Sequence, residues 1–303
     1  MTTILVACPE FEPYLRPGLL PLATVEARFC TPQDLADQLT PQTMVLVGEA
    51  LPPPGPSMAG LRWIHLLAAG YDRLLGRALP AKNLLLSNSS GGFTTGIAEF
   101  VVMRMLMHAK KAEALADAQR QGIWARQSVE GRTLKGKCAV VLGGGSVGRE
   151  VGRLCQAFGM NVAIAGRGER EKFKQLVADA DYVIIAASLN ASSRGMVDAG
   201  LLGSMKRKPY LVNIGRGALI DTPALVAALR EGILSGAALD VFDQEPLPPD
   251  SPLWTLEGLS ISPHTSGVYA EVWQDLAEVF IRNLNCFLAG EPLPNRISLE
   301  DRA

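Results

Sequence analysis

The chain has 303 residues, 48% of them hydrophobic, and this length is typical of two domains with separate cores. Its 29 Lys and Arg residues nearly balance 30 Asp and Glu residues, so we expect no attraction to nucleic acid or to an anionic membrane. No run approaches the ~18 apolar residues of a membrane span, and no signal peptide is expected. Five scattered cysteines form no metal-ligand spacing, so we expect no metal site and a reducing, cytoplasmic location.

The first part of the chain alternates short apolar runs with helical patterns, which predicts parallel strands joined by helices. The predicted strands are 4–8, 44–47, 63–67 and 84–87. A long amphipathic pattern over 99–119 then predicts one helix, because its apolar side chains recur on one face.

A second series of apolar runs predicts a complete dinucleotide-binding domain, with helices after the early strands. Its predicted strands are 138–142, 161–165, 182–186, 210–214, 237–242 and 259–262. A last amphipathic helix, about 268–288, precedes a short tail that we expect to pack on the N-terminal domain.

A glycine-rich turn follows the first strand of this second series. Gly143, Gly145 and Gly148 form a GxGxxG motif that leads into a helical pattern. Such glycines allow a tight turn, close approach of a pyrophosphate and close helix–strand packing. We expect the backbone at these glycines and at Ser146 and Val147 to bind the phosphates. The alternative is a strand–helix turn without a ligand, since the motif alone is weak.

The end of the next strand bears on the choice of cofactor. NAD-binding domains place a carboxylate there, which accepts hydrogen bonds from the ribose hydroxyls. This chain has Gly166 and Arg167 instead, and a guanidinium would hold a 2′-phosphate. The sequence therefore predicts a preference for NADP, with NAD as the second candidate. The alternative is that Arg167 is an ordinary surface arginine.

Three later strands run into residues that suit the reduction of an oxo acid. Arg216 follows the first, Asp240 lies near the end of the second with Glu245 after it, and His264 follows the third. Because ligands bind beyond the carboxyl ends of parallel strands, these side chains should converge at one edge of the sheet. Taken singly, Arg216 could close a turn, which its flanking glycines argue against, and Glu245 could be a surface acid.

The other two histidines have simpler interpretations. His65 lies in a predicted strand and His108 in a predicted helix, where structural roles are expected. His264 instead follows a strand end in a loop rich in Ser, Thr and Gly, and it is the candidate proton donor.

Several stretches together resemble the D-isomer-specific 2-hydroxyacid dehydrogenases, which include glyoxylate/hydroxypyruvate reductases, phosphoglycerate dehydrogenases and D-lactate dehydrogenases. The stretches are 68–72 (AAGYD), 97–99 (IAE), 211–221 (LVNIGRGALID), 237–242 (AALDVF) with Glu245 and Pro246, and 262–264 (SPH). The resemblance covers nearly the whole chain, with these stretches in the family's order.

The resemblance implies an α/β protein of two Rossmann-like, doubly wound parallel-sheet domains. The cofactor domain, 93–265, would be inserted into a discontinuous flavodoxin-like substrate domain, 1–92 with 266–303. It also implies a nicotinamide-dependent oxidoreductase acting on a small 2-oxo acid, and a homodimer formed through the cofactor domain.

The resemblance implies a role for each strand-end residue. Arg216 would clamp the carboxylate and carbonyl of the substrate, and His264 would donate the proton. Glu245 would hydrogen-bond to His264, favouring its charged form and its orientation. These roles agree with the chemistry, because hydride arriving at the carbonyl carbon builds negative charge on the oxygen.

Further roles follow from the same resemblance. The N–H groups of Ala69 and Gly70 would bind the substrate carboxylate, and Asp240 would hold the nicotinamide amide. The chain departs from the family pattern at Ser188, where Pro is frequent, and at Gly96, where Ser or Thr is common. The segment after Arg167, which follows the predicted strand 161–165, is also short.

Two other functions stay open at this level. Some relatives are cofactor-sensing co-repressors with little dehydrogenase activity, although the complete Arg216, Glu245 and His264 set argues against that reading. A formate-dehydrogenase-like enzyme would transfer hydride without a proton, and Glu245 argues against it.

Overall fold

The structure, a computed structural model, describes residues 1–49, 55–71, 74, 84–166 and 168–297. Its internal contacts divide the chain into a first unit, Met1–Phe93 with Tyr269–Ala303, and a second unit, Thr94–Val268. The sequence places the two junctions after residues 92 and 265. The assignment of substrate binding to the first unit and of cofactor binding to the second stays a prediction.

Parallel strands and the helices between them make up both units. The strands are β1 Thr2–Val6, β2 Val25–Phe29, β3 Thr43–Val47, β4 Trp63–Leu66, β5 Leu85–Asn88, β6 Cys138–Leu142, β7 Asn161–Ala165, β8 Tyr182–Ile185, β9 Tyr210–Asn213, β10 Gly236–Leu239 and β11 Leu259–Ile261. The α-helices are α1 Glu12–Leu19, α2 Leu35–Gln38, α3 Thr94–Lys110, α4 Ala112–Arg120, α5 Ser146–Ala157, α6 Arg170–Val177, α7 Ala199–Gly203, α8 Thr222–Arg230 and α9 Val272–Ala289. Within the described ranges no helix is long and apolar enough to cross a membrane.

The sheet of the first unit has the order β2-β1-β3-β4-β5, and all its strands are parallel. This is the doubly wound order of flavodoxin-like folds, as the sequence predicted. Its central strands are apolar along most of their length because helices cover both faces. On one face Trp63 of β4 stacks on Phe280 of α9, with the ring centres 5.3 Å apart.

The tail after α9 returns to this sheet, as predicted. Arg296 forms an antiparallel bridge with Ser87, and the N–H of Ile297 donates to the carbonyl of Leu86 at 2.9 Å. The tail therefore covers the outer edge of β5 with backbone hydrogen bonds, which protects an otherwise open strand edge.

One strand of this sheet was missed by the sequence prediction. Strand β2 reads Val-Glu-Ala-Arg-Phe, and its charged residues hide the apolar signal of a buried strand. It lies at the edge of the sheet as described, paired with β1 on one side, where such residues can reach water.

The sheet of the second unit has the order β11-β10-β9-β8-β6-β7, again all parallel. The strand order reverses between β6 and β8, and ligands of open α/β sheets bind beyond the carboxyl ends of the strands at such a point. Apolar clusters cover both faces of the sheet. The glycine-rich turn directly follows β6, so the fold places it beside this reversal.

The helix predicted over 99–119 is two helices, α3 and α4. They are separated by Lys111, whose φ of +55° is left-handed and ends α3. The prediction was wrong here because the apolar period continues through the break, and no Gly or Pro marks it.

Candidate active site

The turn after β6 needs glycine at two positions because of its neighbours. Gly143 has a φ of +118°, and a Cβ there would lie 2.5 Å from the carbonyl oxygen of Ala186. A Cβ on Gly148 would lie 1.9 Å from the carbonyl oxygen of Gly143. A side chain at Gly148 would therefore push α5 away from the end of β6, and one at Gly143 would clash with the backbone after β8, as expected for a dinucleotide-binding turn.

Gly145, at the start of α5, has open space instead. A Cβ on it would meet no heavy atom within 4 Å, and no side chain caps the helix. The N–H groups that begin α5, at Ser146 and Val147, are thus left to an anion, and the helix dipole favours one there. Arg149, which the sequence analysis missed, donates to the carbonyl of Gly144 and adds a positive charge to the turn. These residues fit the pyrophosphate of a nicotinamide dinucleotide.

The end of β7 carries a carboxylate that the sequence analysis missed. The N–H of Gly166 donates to Oε2 of Glu169 at 2.5 Å, and Nζ of Lys172 lies 2.8 Å from Oε1. The hydrogen bond from Lys172, followed by that from Gly166, lowers the pKa of Glu169. The predicted cofactor residue Arg167 lies outside the described residues.

The ends of β10 and β11 bring Glu245 and His264 together. Nδ1 of His264 lies 2.7 Å from Oε2 of Glu245. The other oxygen of Glu245 accepts the N–H of Phe242 at 2.9 Å, which fixes the carboxylate in its loop. The side chains of His264 and Glu245 remain 47% and 37% exposed, so a substrate can reach the ring.

The charges around Glu245 favour its ionised form. Partial burial acts to raise its pKa, but the hydrogen bonds from His264 and Phe242 and the charges of His264 and Arg216 outweigh it and lower the pKa. Arg216 follows β9, and its Nη1 donates to the carbonyl of Gly215 at 2.8 Å. The predicted arginine, carboxylate and histidine thus interact at one edge of the second unit.

The backbone of His264 has an uncommon conformation. Its φ is +56°, a left-handed value that is uncommon for residues other than glycine, although Asn, Asp and His adopt it more often than most. The N–H of His264 compensates by donating to the carbonyls of Asp240 and Ser262 at 2.8 and 3.1 Å. A conformation that the surroundings must hold in place is typical of functional positions.

Asp240 organises the loop that carries His264. Its side chain is buried, and Oδ1 accepts the hydroxyl of Ser262 at 2.6 Å and the N–H of Thr265 at 2.9 Å. Oδ2 accepts the N–H of Ser266 at 3.0 Å. Sequence reasoning missed these loop contacts, although the run of Ser and Thr after β11 was the signal for them.

The glycines on either side of Arg216 have a packing role. A Cβ on Gly217 would lie 2.0 Å from the carbonyl carbon of Phe242, and one on Gly215 would lie 2.7 Å from the carbonyl oxygen of Ala187. The room predicted around Arg216 is therefore taken by the neighbouring strand-end loops. The fold requires these glycines so that the loop of Arg216 can pack against the loops that carry Ala187 and Phe242.

The predicted carboxylate-binding residues Ala69 and Gly70 belong to the first unit, where they follow β4. Nδ2 of Asn88 donates to the carbonyl of Ala69 at 2.6 Å, and the N–H of Ser89 donates to that of Ala68 at 3.1 Å. Residues at the end of β5 therefore orient the loop after β4 by donating hydrogen bonds to the carbonyl groups of that loop.

His65 has the structural role predicted for it, in a buried chain of hydrogen bonds. Nε1 of Trp63 donates to Oγ of Ser87 at 2.8 Å, so the Ser87 hydroxyl is left to donate to Nδ1 of His65 at 2.7 Å. Nε2 of His65 lies 3.1 Å from Oγ of Ser89, which donates to the carbonyl of Leu66 at 2.9 Å. Every donor has an acceptor only when His65 is neutral with its proton on Nε2.

Comparisons with known proteins agree with this architecture. The family model described as "D-isomer specific 2-hydroxyacid dehydrogenase, NAD binding domain" matches residues 102–266. The chain is 31% identical over 255 residues to a glyoxylate reductase of Korarchaeum cryptofilum, covering 79% of this chain and 77% of that protein.

Solved structures match almost the whole chain. A D-isomer specific 2-hydroxyacid dehydrogenase family protein of Aeromonas salmonicida superposes with a TM-score of 0.84 at 29% identity, covering 98% of this chain and 99% of that one. A probable 2-hydroxyacid dehydrogenase of Rhizobium etli, in complex with NADP, superposes with a TM-score of 0.78 at 25% identity, covering 99% and 98%. The similarity thus extends over both units.

Proposed function

We propose a reaction for this chain from one premise: it belongs to the D-isomer specific 2-hydroxyacid dehydrogenase family. The reaction is the reduction of a small 2-oxo acid, of the glyoxylate or hydroxypyruvate type, to the D-2-hydroxy acid. The observation that carries the proposal is the 2.7 Å contact of His264 with Glu245, beside the charge of Arg216. A 2-oxo acid requires a proton donor for its carbonyl oxygen and a cation for its charge.

Each residue then has a chemical task. Bound nicotinamide would supply the hydride, and His264 donates a proton to the carbonyl oxygen. Because Glu245 engages Nδ1, the proton leaves from Nε2 of His264. Arg216 binds the carboxylate and stabilises the negative charge that grows on the carbonyl oxygen. For the first unit, we propose that the N–H groups of Ala69 and Gly70 bind a substrate carboxylate.

The second unit would hold the cofactor. The pyrophosphate would bind to the backbone at Gly143, Gly145, Ser146, Val147 and Gly148. The start of α5 supports this, because no side chain caps it and there is open space at Gly145. Asp240 holds the nicotinamide amide. Although its carboxylate already accepts three hydrogen bonds, each oxygen has two lone pairs, so Oδ2 can accept one more.

NADPH is the preferred cofactor in this proposal, with NADH as a weaker alternative. Glycine at position 166 and Arg167 next to it support the preference, since a guanidinium binds a 2′-phosphate well. The Rhizobium etli relative was crystallised with NADP, which agrees with it. Removing Arg167 should shift the preference toward NADH by roughly ten- to a hundredfold, because one charge-assisted contact is worth about 1.5–3 kcal/mol.

The proposal includes a cytoplasmic homodimer formed through the second unit. All five cysteines are unpaired, as in proteins of reducing compartments. Between residues 103 and 124 of this unit, large apolar side chains are strongly exposed: Met103 (42%), Leu115 (47%), Ile123 (54%) and Trp124 (90%). Such side chains often mark an interface, so light scattering should give twice the mass of the 32.4 kDa chain.

A steady-state assay tests the proposed reaction. The purified protein is given NADPH or NADH with glyoxylate, hydroxypyruvate and larger 2-oxo acids, and His264→Gln serves as the matched inactive control. We expect turnover with a small 2-oxo acid, a higher kcat/KM with NADPH, and almost no turnover in the control. Cofactor binding without turnover of any 2-oxo acid would contradict the proposal and favour a cofactor-sensing binding protein.

A further inference from the structure

The end of β7 lies directly beside the glycine-rich turn. The N–H of Gly143 donates to the carbonyl of Ala165 at 2.8 Å, and a Cβ on Gly144 would lie 3.8 Å from Cα of Gly166. When a pyrophosphate is bound at such a turn, the adenosine ribose lies at the end of the following strand. Groups at Gly166 therefore decide whether that ribose can carry a 2′-phosphate.

A carboxylate occupies this place, although residue 166 is a glycine. Oε2 of Glu169 accepts the N–H of Gly166 at 2.5 Å. A Cβ built on Gly166 would lie only 3.2 Å from the same oxygen. The side chain of Glu169 thus stands where a side chain of residue 166 would point, and the glycine leaves it the room to do so.

The carboxylate is held in its charged form. Nζ of Lys172 lies 2.8 Å from Oε1 of Glu169, one helical turn further along α6. The hydrogen bonds from Lys172 and Gly166 lower the pKa of Glu169, so the group is ionised at neutral pH. A 2′-phosphate, with a charge of about −1.5 to −2, meets this negative charge and finds the N–H of Gly166 already engaged.

We infer that Glu169 limits the affinity of this chain for NADP by opposing its 2′-phosphate. Its carboxylate accepts hydrogen bonds from the ribose hydroxyls of NAD, and it must leave the N–H of Gly166 before NADP binds tightly. This inference rests on the proposed function only in requiring that a nicotinamide dinucleotide binds at the turn. It means that the preference for NADP expected from Arg167 is weaker than that residue alone would produce.

The size of the effect follows from the charges. For charges about 4 Å apart in water, Coulomb's law gives about a fivefold change in a dissociation constant for a singly charged phosphate and about thirtyfold for a doubly charged one. Salt reduces this repulsion because the group is exposed. For NAD, exchanging a charged acceptor for a neutral one weakens binding by up to about fivefold.

The experiment is a calorimetric titration of NADP⁺ and NAD⁺, without substrate, into the wild type, Glu169→Gln and Glu171→Gln. Glutamine keeps the shape and an acceptor for the N–H of Gly166 but removes the charge. Glu171 is exposed on the same helix, so its substitution removes an equal charge away from that contact. The titrations are repeated at high salt.

We expect Glu169→Gln to bind NADP⁺ about five- to thirtyfold more tightly and NAD⁺ no more tightly than the wild type, with the gain shrinking at high salt. Glu171→Gln should change neither constant by more than about twofold. Equal changes for both nucleotides, an unchanged NADP⁺ constant, or the same gain in Glu171→Gln would overturn the inference. If the protein still reduces 2-oxo acids, any of these three results leaves the proposed reaction intact. A wild type that binds neither nucleotide would overturn both the inference and the proposed reaction.

Discussion

His65 and His264 show how two surroundings give one residue type opposite functions. His65 is fully buried in β4 between two serines, and burial lowers its pKa to about 3. His264 follows β11 in an exposed loop, where a carboxylate lies 2.7 Å from its Nδ1. An imidazole among hydroxyl groups stays neutral and serves the fold, whereas one beside a carboxylate can carry a proton to a substrate.

The largest expected effect is the loss of activity in His264→Ala. The general acid is removed, so kcat for the reduction of a 2-oxo acid should fall by about 10²–10⁴. The ring is exposed and leaves no cavity, so the midpoint of thermal unfolding and the affinity for NADPH should stay unchanged. A variant that keeps wild-type kcat would show that His264 and His65 do not differ in the way described.

Arg216→Ala tests the other charged group of the same site. The guanidinium is assigned both the substrate carboxylate and the developing negative charge, so KM should rise and kcat should fall together. We expect kcat to fall by about 10²–10³, as when one donor to a developing oxyanion is lost. Fluorescence titration with NADPH should give an unchanged dissociation constant, and a collapse of cofactor binding would instead assign Arg216 to the cofactor or the fold.

His65 should affect stability rather than turnover. Its pKa falls from 6.5 when unfolded to about 3 when folded, so the unfolded chain binds the extra proton as pH falls below 6.5. The wild type should therefore lose about 1.4 kcal/mol of unfolding free energy per pH unit below that value from this group alone.

Urea unfolding of the wild type and His65→Gln at pH 7.5 and 5.5 measures this loss. The unfolding free energy should fall between pH 7.5 and pH 5.5 by about 1.4 kcal/mol less in the variant than in the wild type, because glutamine does not titrate. The variant's kcat should remain close to that of the wild type. Equal pH dependence in the two proteins would show that His65 is not a buried neutral histidine.

Most of the architecture could be predicted from the sequence because parallel, buried strands leave a local apolar signal. The positions of Arg216, Glu245 and His264 at strand ends followed from that signal, and the expected contact between Glu245 and His264 is present. Their catalytic roles stay predictions. The edge strand β2 was missed because a strand with one open side needs fewer apolar residues.

Contacts between side chains and distant backbone could not be predicted. Glu169 reaches back to Gly166 through a loop conformation that no periodicity encodes. The carboxylate of Asp240 accepts hydrogen bonds from the loop after β11. Position 217 must be glycine because the backbone of Phe242, from another strand end, leaves no room for a Cβ. Each contact depends on which segments the fold brings together, and the sequence alone does not show that.

Glu245 and His264, 2.7 Å apart, are assigned here as the pair that donates the proton, and two pH–rate profiles test that assignment. Because the pKa of Glu245 is lowered, its carboxylate stays charged at pH values where an ordinary glutamate is already protonated, and it loses that charge only as pH falls through the lowered value. Reductive kcat/KM, with NADPH saturating, should be high at low pH and fall as pH rises, and the oxidation of the hydroxy acid should show the opposite trend.

Glu245→Gln removes the charge but keeps a hydrogen-bond acceptor for Nδ1 of His264. If the pair donates the proton, the reductive fall-off moves to lower pH in Glu245→Gln, because the negative charge beside the ring is gone. A fall-off that stays in place or moves to higher pH in Glu245→Gln would contradict the assignment of Glu245 and His264 as the proton-donating pair.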